Sequence, residues 1–139
     1  MIIYAESLEK ITSDHLCGGF FAGWPHPPSP ADHLRLLRGS SAVILACTES
    51  GQVVGYITAI SDGVSCAYLP HLEVLPEYQG QGIGSELVRR MLERLDRLYM
   101  IDLVCDESLI PFYERFGLRP MRGMALRHYD RQDCSSRPV

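Results

Sequence analysis

The chain is nearly without lysine and without any excess of positive charge. Lys10 is the only lysine, arginines supply the other cations, and the formal net charge is −4 over 139 residues. A general nucleic-acid binder or a ligand of anionic membranes needs clustered cations to exploit phosphate charge, so both classes are excluded as the main activity. No apolar run approaches the roughly 18 residues of a membrane span, and no basic stretch leads into an apolar one near the N-terminus. Neither a span nor a signal peptide is expected, and the expected location is the cytoplasm. Cys17, Cys47, Cys66, Cys105 and Cys134 are odd in number, widely spaced and lack any Cys-x-x-Cys pair. That excludes a zinc or disulfide framework, and no metal site is expected. Cys47, Cys66 and Cys105 sit in apolar runs as small buried hydrophobes, a catalytic thiol being the minority reading.

What is present suits one compact domain. The composition is 46% hydrophobic, enough for a single core in a chain of this length. No repeat, low-complexity tract or linker interrupts residues 1–129, and residues 130–139 read as a polar, flexible tail. Ile2 to Tyr4 reads as a strand, and Leu8, Ile11 and Leu16 recur at helical spacing. Prolines stiffen the aromatic segment from Phe20 to Pro28 into a loop. Ser29, Pro30 and Asp32 form an N-cap, a first-turn proline and a favourably placed acid, opening a helix that ends near Gly39.

Ala42 to Cys47 and Val53 to Ile60 are β-branched apolar runs joined by a turn, a hairpin pattern. Val64 to Val74 extends the meander as a third antiparallel strand. Pro70 inside it cannot donate to a ladder, so the strand is expected to lose its neighbour there and leave a gap in the sheet. Ile83, Leu87, Val88, Met91, Leu92 and Leu95 line one face of a helix. Tyr99 to Cys105 follows as a parallel strand by a right-handed crossover. A short helix spans Leu109 to Phe116 and ends at Gly117, with short strands around Leu118–Met121 and Met124–His128.

Between strand and helix lies Gln79-Gly80-Gln81-Gly82-Ile83-Gly84-Ser85. Alternating glycines allow close approach of a ligand, and free amides at a helix start attract an anion such as a pyrophosphate. A glycine-rich turn that merely tightens strand-to-helix packing is the plainer reading of the same residues. A Walker loop is excluded because Gly84 is followed by Ser85-Glu86 with no lysine nearby. A dinucleotide fingerprint would put its third glycine at Ser85.

The motif is similar to the signature of the GNAT superfamily of N-acetyltransferases, Gln/Arg-x-x-Gly-x-Gly/Ala after a bulged fourth strand. Leu72 to Tyr78 resembles the family's strand and turn. Independently, the Phe-Tyr-x-x-x-Gly-apolar pattern within Asp106 to Leu118 resembles its fourth helix. The order of elements agrees from Ile2 to about His128. The resemblance implies an α+β fold layered α/β/α, with a mixed, mostly antiparallel sheet of about seven strands and four helices, splayed between the fourth and fifth strands. It implies acetyl-CoA as co-substrate, with Leu72 and Val74 offering backbone groups to the pantetheine arm and Gln79, Gly80, Gln81, Gly82, Ile83, Gly84 and Ser85 holding the pyrophosphate. Tyr113 takes the position of the acid that protonates the departing CoA thiolate. A phenol suits that role, since its ordinary pKa near 10 keeps it protonated where a thiolate develops.

The resemblance further implies an acceptor that is an amine of a small molecule or a protein, expected to attack the thioester directly with backbone donors near Val74 polarising the carbonyl. Family members often carry a carboxylate where this chain has Pro70, leaving His71, Glu73 or a water relay as the base. Asp106 replaces a frequent Asn and cannot donate its amide hydrogen, while Asp102 either faces the cleft or pairs with an arginine. The loop with Trp24 and His26 forms a wall of the acceptor site or closes the core. A homodimer is a further possibility that the resemblance raises, and a non-catalytic acyl-CoA sensor is the alternative to the enzyme.

Overall fold

The computed structural model describes residues 1–136 and 139. Its elements run β1 (Ile3–Ala5), α1 (Pro30–Gly39), β2 (Ala42–Cys47), β3 (Val53–Ser61), β4 (Cys66–Tyr68), β5 (Leu72–Val74), α2 (Ile83–Arg94), β6 (Met100–Asp102) and α3 (Ile110–Glu114), with single 3-10 turns between several of them. β1, β2 and β3 form an antiparallel meander. β2 is buried throughout and β3 along most of its length, because helices cover both faces.

Side-chain alternation along β3 assigns those faces. A Cβ at Gly55 would lie 3.3 Å from Leu87 of α2, whereas the next residue, Tyr56, meets the His33 ring of α1 at 4.6 Å between centroids. One face therefore belongs to α2 and the other to α1. α2 buries Ile83, Leu87, Val88 and Met91, the stripe expected from its spacing. α1 starts as the sequence dictates, with the Ser29 hydroxyl accepting the Asp32 amide at 3.1 Å and Pro30 in the first turn. The β3–β4 turn is locked by Asp62, whose carboxylate accepts the Val64, Ser65 and Cys66 amides. Those bonds favour the ionised form and hold its pKa down to about 2.

The expected third strand is divided at Leu69-Pro70-His71. β4 and β5 both pair with β3, but only β4 pairs with β6, in parallel. The last bond across to β6 runs from the Leu69 amide to the Asp102 carbonyl at 2.9 Å. Pro70 has no proton to continue the ladder, and the sheet splays from there.

Several expectations are corrected. Among the described residues the sheet has six strands rather than seven, and there are three α-helices rather than four. Leu8 to Leu16 makes only a 3-10 turn at Ser13–Leu16, since Leu16 and Ile11 bury themselves without a continuous helical stripe. The helix expected over Leu109–Phe116 is a 3-10 turn at Glu107–Leu109 running into α3; Pro111 suits the first turn of that short helix. The strands expected at Leu118–Met121 and Met124–His128 do not form, because no partner edge meets them among the described residues. The C-terminal segment contains a 3-10 turn at Tyr129–Arg131, and Arg35 of α1 donates to the Cys134 carbonyl at 3.3 Å. Arg137 and Pro138, within the stretch expected to be a flexible tail, lie outside the described residues.

Candidate active site: two clefts sharing one strand

β5 is three residues long, yet both candidate sites depend on it. The Leu75 amide bonds to the Val54 carbonyl and the Thr58 amide to the His71 carbonyl, so residues 71, 73 and 75 turn their backbone groups toward β3. The alternation then points the backbone groups of Leu72 and Val74 into the splay. The Val74 carbonyl is already met there by the Gln79 side-chain amide at 2.9 Å. Leu72 and the Val74 N–H carry the remaining backbone groups on that edge.

On the α2 side a cleft of about 250 Å³ is lined by Val74, Tyr78, Gln79, Gly80, Gly82, Ile83, Gly84, Ser85 and Phe112. Gly80 and Gly82 adopt left-handed backbone, φ 74° and 82°, which side chains with a Cβ disfavour. Gly82 is the N-cap of α2, and no side chain caps it. The first-turn amides are consequently free to meet an anion at the helix's positive end. Gln81 does not line this cleft; its side chain turns back to the Glu77 carbonyl at 3.3 Å.

Arg115 escaped the sequence reading. Its guanidinium donates to the Ser85 hydroxyl at 3.0 Å and lies over the Phe112 ring at 5.0 Å, placing a cation beside the helix start. Its position two residues after Tyr113, one helical turn from Phe112, was the available signal. Glu86, the acid in the first turn of α2, is neutralised locally by Arg89 and Arg90 at 2.8 and 2.7 Å.

Tyr113 is half-buried and packs edge-on against Phe112 at 4.9 Å. Phe112, not Tyr113, reaches the lining of the glycine cleft. Burial, and then the nearby Cys105 thiol, push the Tyr113 pKa up, so the phenol stays protonated well above neutrality. Cys105 is partly buried, as an apolar-run cysteine should be.

On the α1 side a second cleft, of about 280 Å³, is lined by Phe21, Trp24, Tyr56, Pro70, His71, Leu72 and Glu73. Tyr56 and Glu73 are register partners and so share a face. Glu73 accepts the Phe21 amide at 2.7 Å. Phe21 itself has φ 61°, a left-handed conformation unusual for a side chain of its size. Phe20 and Phe21 of the aromatic loop are buried and close the core there, while Trp24 lines the cleft.

Burial raises the Glu73 pKa, and the Phe21 and Ala22 amides and the Tyr56 hydroxyl partly offset it. Burial lowers that of His71, leaving a neutral imidazole at pH 7. Tyr56 is pushed up by burial and by the Glu73 charge. Behind it His33 is 1% exposed, with Nε2 unpartnered, and its pKa falls to about 4 through burial and then the proximity of His71. Tyr56 and His33 were not singled out from sequence; both sit in ordinary apolar patterns. Asp102 and Asp106 are exposed and line neither cleft. Among the described residues no group of three His, Cys, Asp or Glu side chains could hold a metal ion. No helix of the described residues is long and apolar enough to cross a membrane.

The sheet split at Pro70 thus sets an uncapped glycine-rich helix start on one side against an aromatic-walled carboxylate on the other. Residues 10–118 match the model of the acetyltransferase (GNAT) family, and the chain belongs to that family. A crystal structure assigned to the acetyltransferases, from Deinococcus radiodurans R1, is 47% identical and superposes with a TM-score of 0.92, covering 95% of this chain and 92% of its own. The GCN5-related N-acetyltransferase 2, chloroplastic, of Arabidopsis thaliana is 32% identical over 71 residues, half of this chain. An uncharacterized N-acetyltransferase of Pyropia yezoensis is 23% identical over 124 residues, 83% of this chain. The matched stretches span 28% and 69% of those two relatives.

Proposed function

We propose that the protein is an acetyl-CoA-dependent N-acetyltransferase whose acceptor is an amine carrying apolar surface, bound in the aromatic cleft. The observation that supports this best is that the two clefts lie on opposite faces of β5, with the open backbone edge of Leu72 and Val74 between them. In this reading Gln79 to Ser85 hold the pyrophosphate through backbone amides, and Arg115 adds a charge-assisted contact. Gln81 contributes through its backbone rather than its side chain.

Acetyl-CoA supplies the activated thioester. Leu72 and Val74 orient its arm, and the Val74 N–H polarises the carbonyl as charge builds on oxygen. Glu73 draws the cationic amine into the cleft, and neutral His71 or the Glu73 carboxylate takes the proton, directly or through a water. The amine nitrogen bonds to the acetyl carbon, the carbon–sulfur bond breaks, and Tyr113 gives its proton to the thiolate. A partly buried carboxylate amid aromatic rings fits an ammonium group better than a neutral or anionic acceptor.

Two measurements test the proposal. Saturating acetyl-CoA should raise the melting temperature, since a ligand bound only by the folded state stabilises it; no shift would refute cofactor binding altogether. CoA release should then depend on an added primary amine. Thermal stabilisation without turnover across a broad amine panel would favour a sensor of acyl-CoA over an enzyme.

A further inference from the structure

Among the described residues Glu73 is the only acid that lines the aromatic cleft, and much of its carboxylate is already spoken for. Oε1 accepts the Phe21 amide at 2.7 Å. The Ala22 amide and the Tyr56 hydroxyl also approach the carboxylate, and all of these donors favour its charged form. A carboxylate offers about four lone-pair positions. Donors from Phe21, Ala22 and Tyr56 therefore leave room for about one more.

Tyr56 is the donor with the least freedom. It stands directly across from Glu73 in the β3–β5 register and is 1% exposed. Rings close on it from three elements: His33 of α1 at 4.6 Å between centroids, Phe20 of the aromatic loop edge-on at 5.3 Å, and His71 beside β5 at 6.5 Å. A phenol packed on these sides keeps one rotamer, so its hydroxyl is a fixed point in the cleft wall.

The open position on Glu73 selects by chemistry. An ammonium group is a compact charge with rotatable donors and fits one acceptor position. A guanidinium presents a planar fork that asks for both oxygens in parallel, and the chain's own donors stand in its way. A second ammonium on the same ligand would meet neutral His71, Pro70, Leu72 and aromatic rings, where losing water without gaining an acid is unfavourable. The cleft, about 280 Å³, falls just short of ordinary ligand pockets of about 300–1,000 Å³, so the ligand body is small.

We propose that Tyr56, by fixing the Glu73 carboxylate with one position open, determines acceptor specificity, and that the acceptor is a small monoamine with an apolar body in preference to diamines, polyamines and guanidines. This deepens the acceptor reading given above and rests on it. Binding and turnover are read separately, so the two can fail separately.

Titration calorimetry of the full chain, alone and with saturating CoA, compares hexylamine with hexamethylenediamine and benzylamine with benzylguanidine. Each monoamine should bind about tenfold or more tightly than its counterpart. Tyr56→Phe keeps the ring and removes the hydroxyl. It should weaken benzylamine binding roughly fivefold and narrow the margin over benzylguanidine, and in acetyl-transfer assays act on KM more than on kcat. Losing a donor to the charged form also lets Glu73 take up its proton at higher pH, so benzylamine affinity should begin to decline at a higher pH than in the parent. A residue that only filled space would not move that profile. The other titratable groups gathered there among the described residues are His71 and, behind Tyr56, His33 of α1 and Cys134 of the C-terminal segment.

Binding in this order without turnover would refute the transfer reading and support this inference. Counterparts that match the monoamines, no binding by any of the four, or a folded Tyr56→Phe chain with parent affinity, selectivity and pH profile would each overturn it. The parent's own selectivity decides the acceptor class even where Tyr56→Phe fails to fold by circular dichroism.

Discussion

The Glu73 carboxylate accepts the backbone amide of Phe21 at 2.7 Å across 52 positions of sequence. One oxygen is thereby committed to holding the aromatic loop in its left-handed turn, while the residue lines the aromatic-walled cleft. Removing the acceptor leaves a buried amide unpaired, so Glu73→Ala should destabilise the fold by about 1–3 kcal/mol. Glu73→Gln keeps an acceptor oxygen and should cost less. Both should lower kcat/KM for a cationic amine, about tenfold or more. Chemical denaturation alongside amine kinetics separates the two effects. Equal stability loss in the two variants would disconnect the loop from the carboxylate.

His71 faces the same cleft, and burial lowers its pKa below the ordinary 6.5. As a base it works while neutral, so the acidic limb of the kcat/KM profile should fall at a pH under 6.5. His71→Gln should move or abolish that limb. A limb unchanged in His71→Gln would assign it to Glu73.

Tyr113 remains protonated because burial raises its pKa. With a good acceptor, Tyr113→Phe should lower kcat roughly 10²-fold and leave acetyl-CoA affinity near the parent value. Stopped-flow detection of free CoA reads this directly. Parent-like release would remove Tyr113 from the chemistry, a real test given that Phe112 is the neighbour lining the glycine cleft.

Arg115 should contribute affinity rather than rate. Arg115→Ala is expected to weaken acetyl-CoA binding about fivefold at low ionic strength, with the difference shrinking as salt rises. Calorimetric titration at two salt concentrations checks it. A defect confined to kcat would contradict the placement beside Ser85.

His33 makes stability depend on pH. Its folded pKa, about 4, lies below the unfolded 6.5, so the unfolded chain takes up the proton first. Stability is complete above pH 6.5, falls as the pH drops toward 4, and levels off below. The loss should be on the order of 3 kcal/mol. His33→Phe keeps a ring against Tyr56 and should flatten that slope. An unaltered slope in melting temperature between pH 6.5 and 4 would exonerate His33.

Much of this was readable from local sequence. Ser29-Pro30 and Asp32 start α1 as expected, the stripe from Ile83 to Met91 defines α2, and Pro70 marks where the sheet parts. Each is a short-range effect: a cap, a period, a missing donor. What did not read was long-range. The patterns at Leu118–Met121 and Met124–His128 carry strand signals, but a strand needs an edge, and no sequence pattern states whether one is within reach. Leu8 to Leu16 has helical spacing without enough covered surface to use it. The Phe21–Glu73 bond and the Arg115–Ser85 contact join residues 52 and 30 positions apart, and neither partner's neighbourhood announces the other.

β5 has only three residues, and its alternation sends Glu73 to one face and Val74 to the other. If the proposed function holds, changes in the aromatic loop or at position 73 would retune which amine is bound while the glycine turn stays untouched. A fold partitioned in this way can acquire new acceptors by drift on one side of a single strand, with the donor chemistry inherited intact.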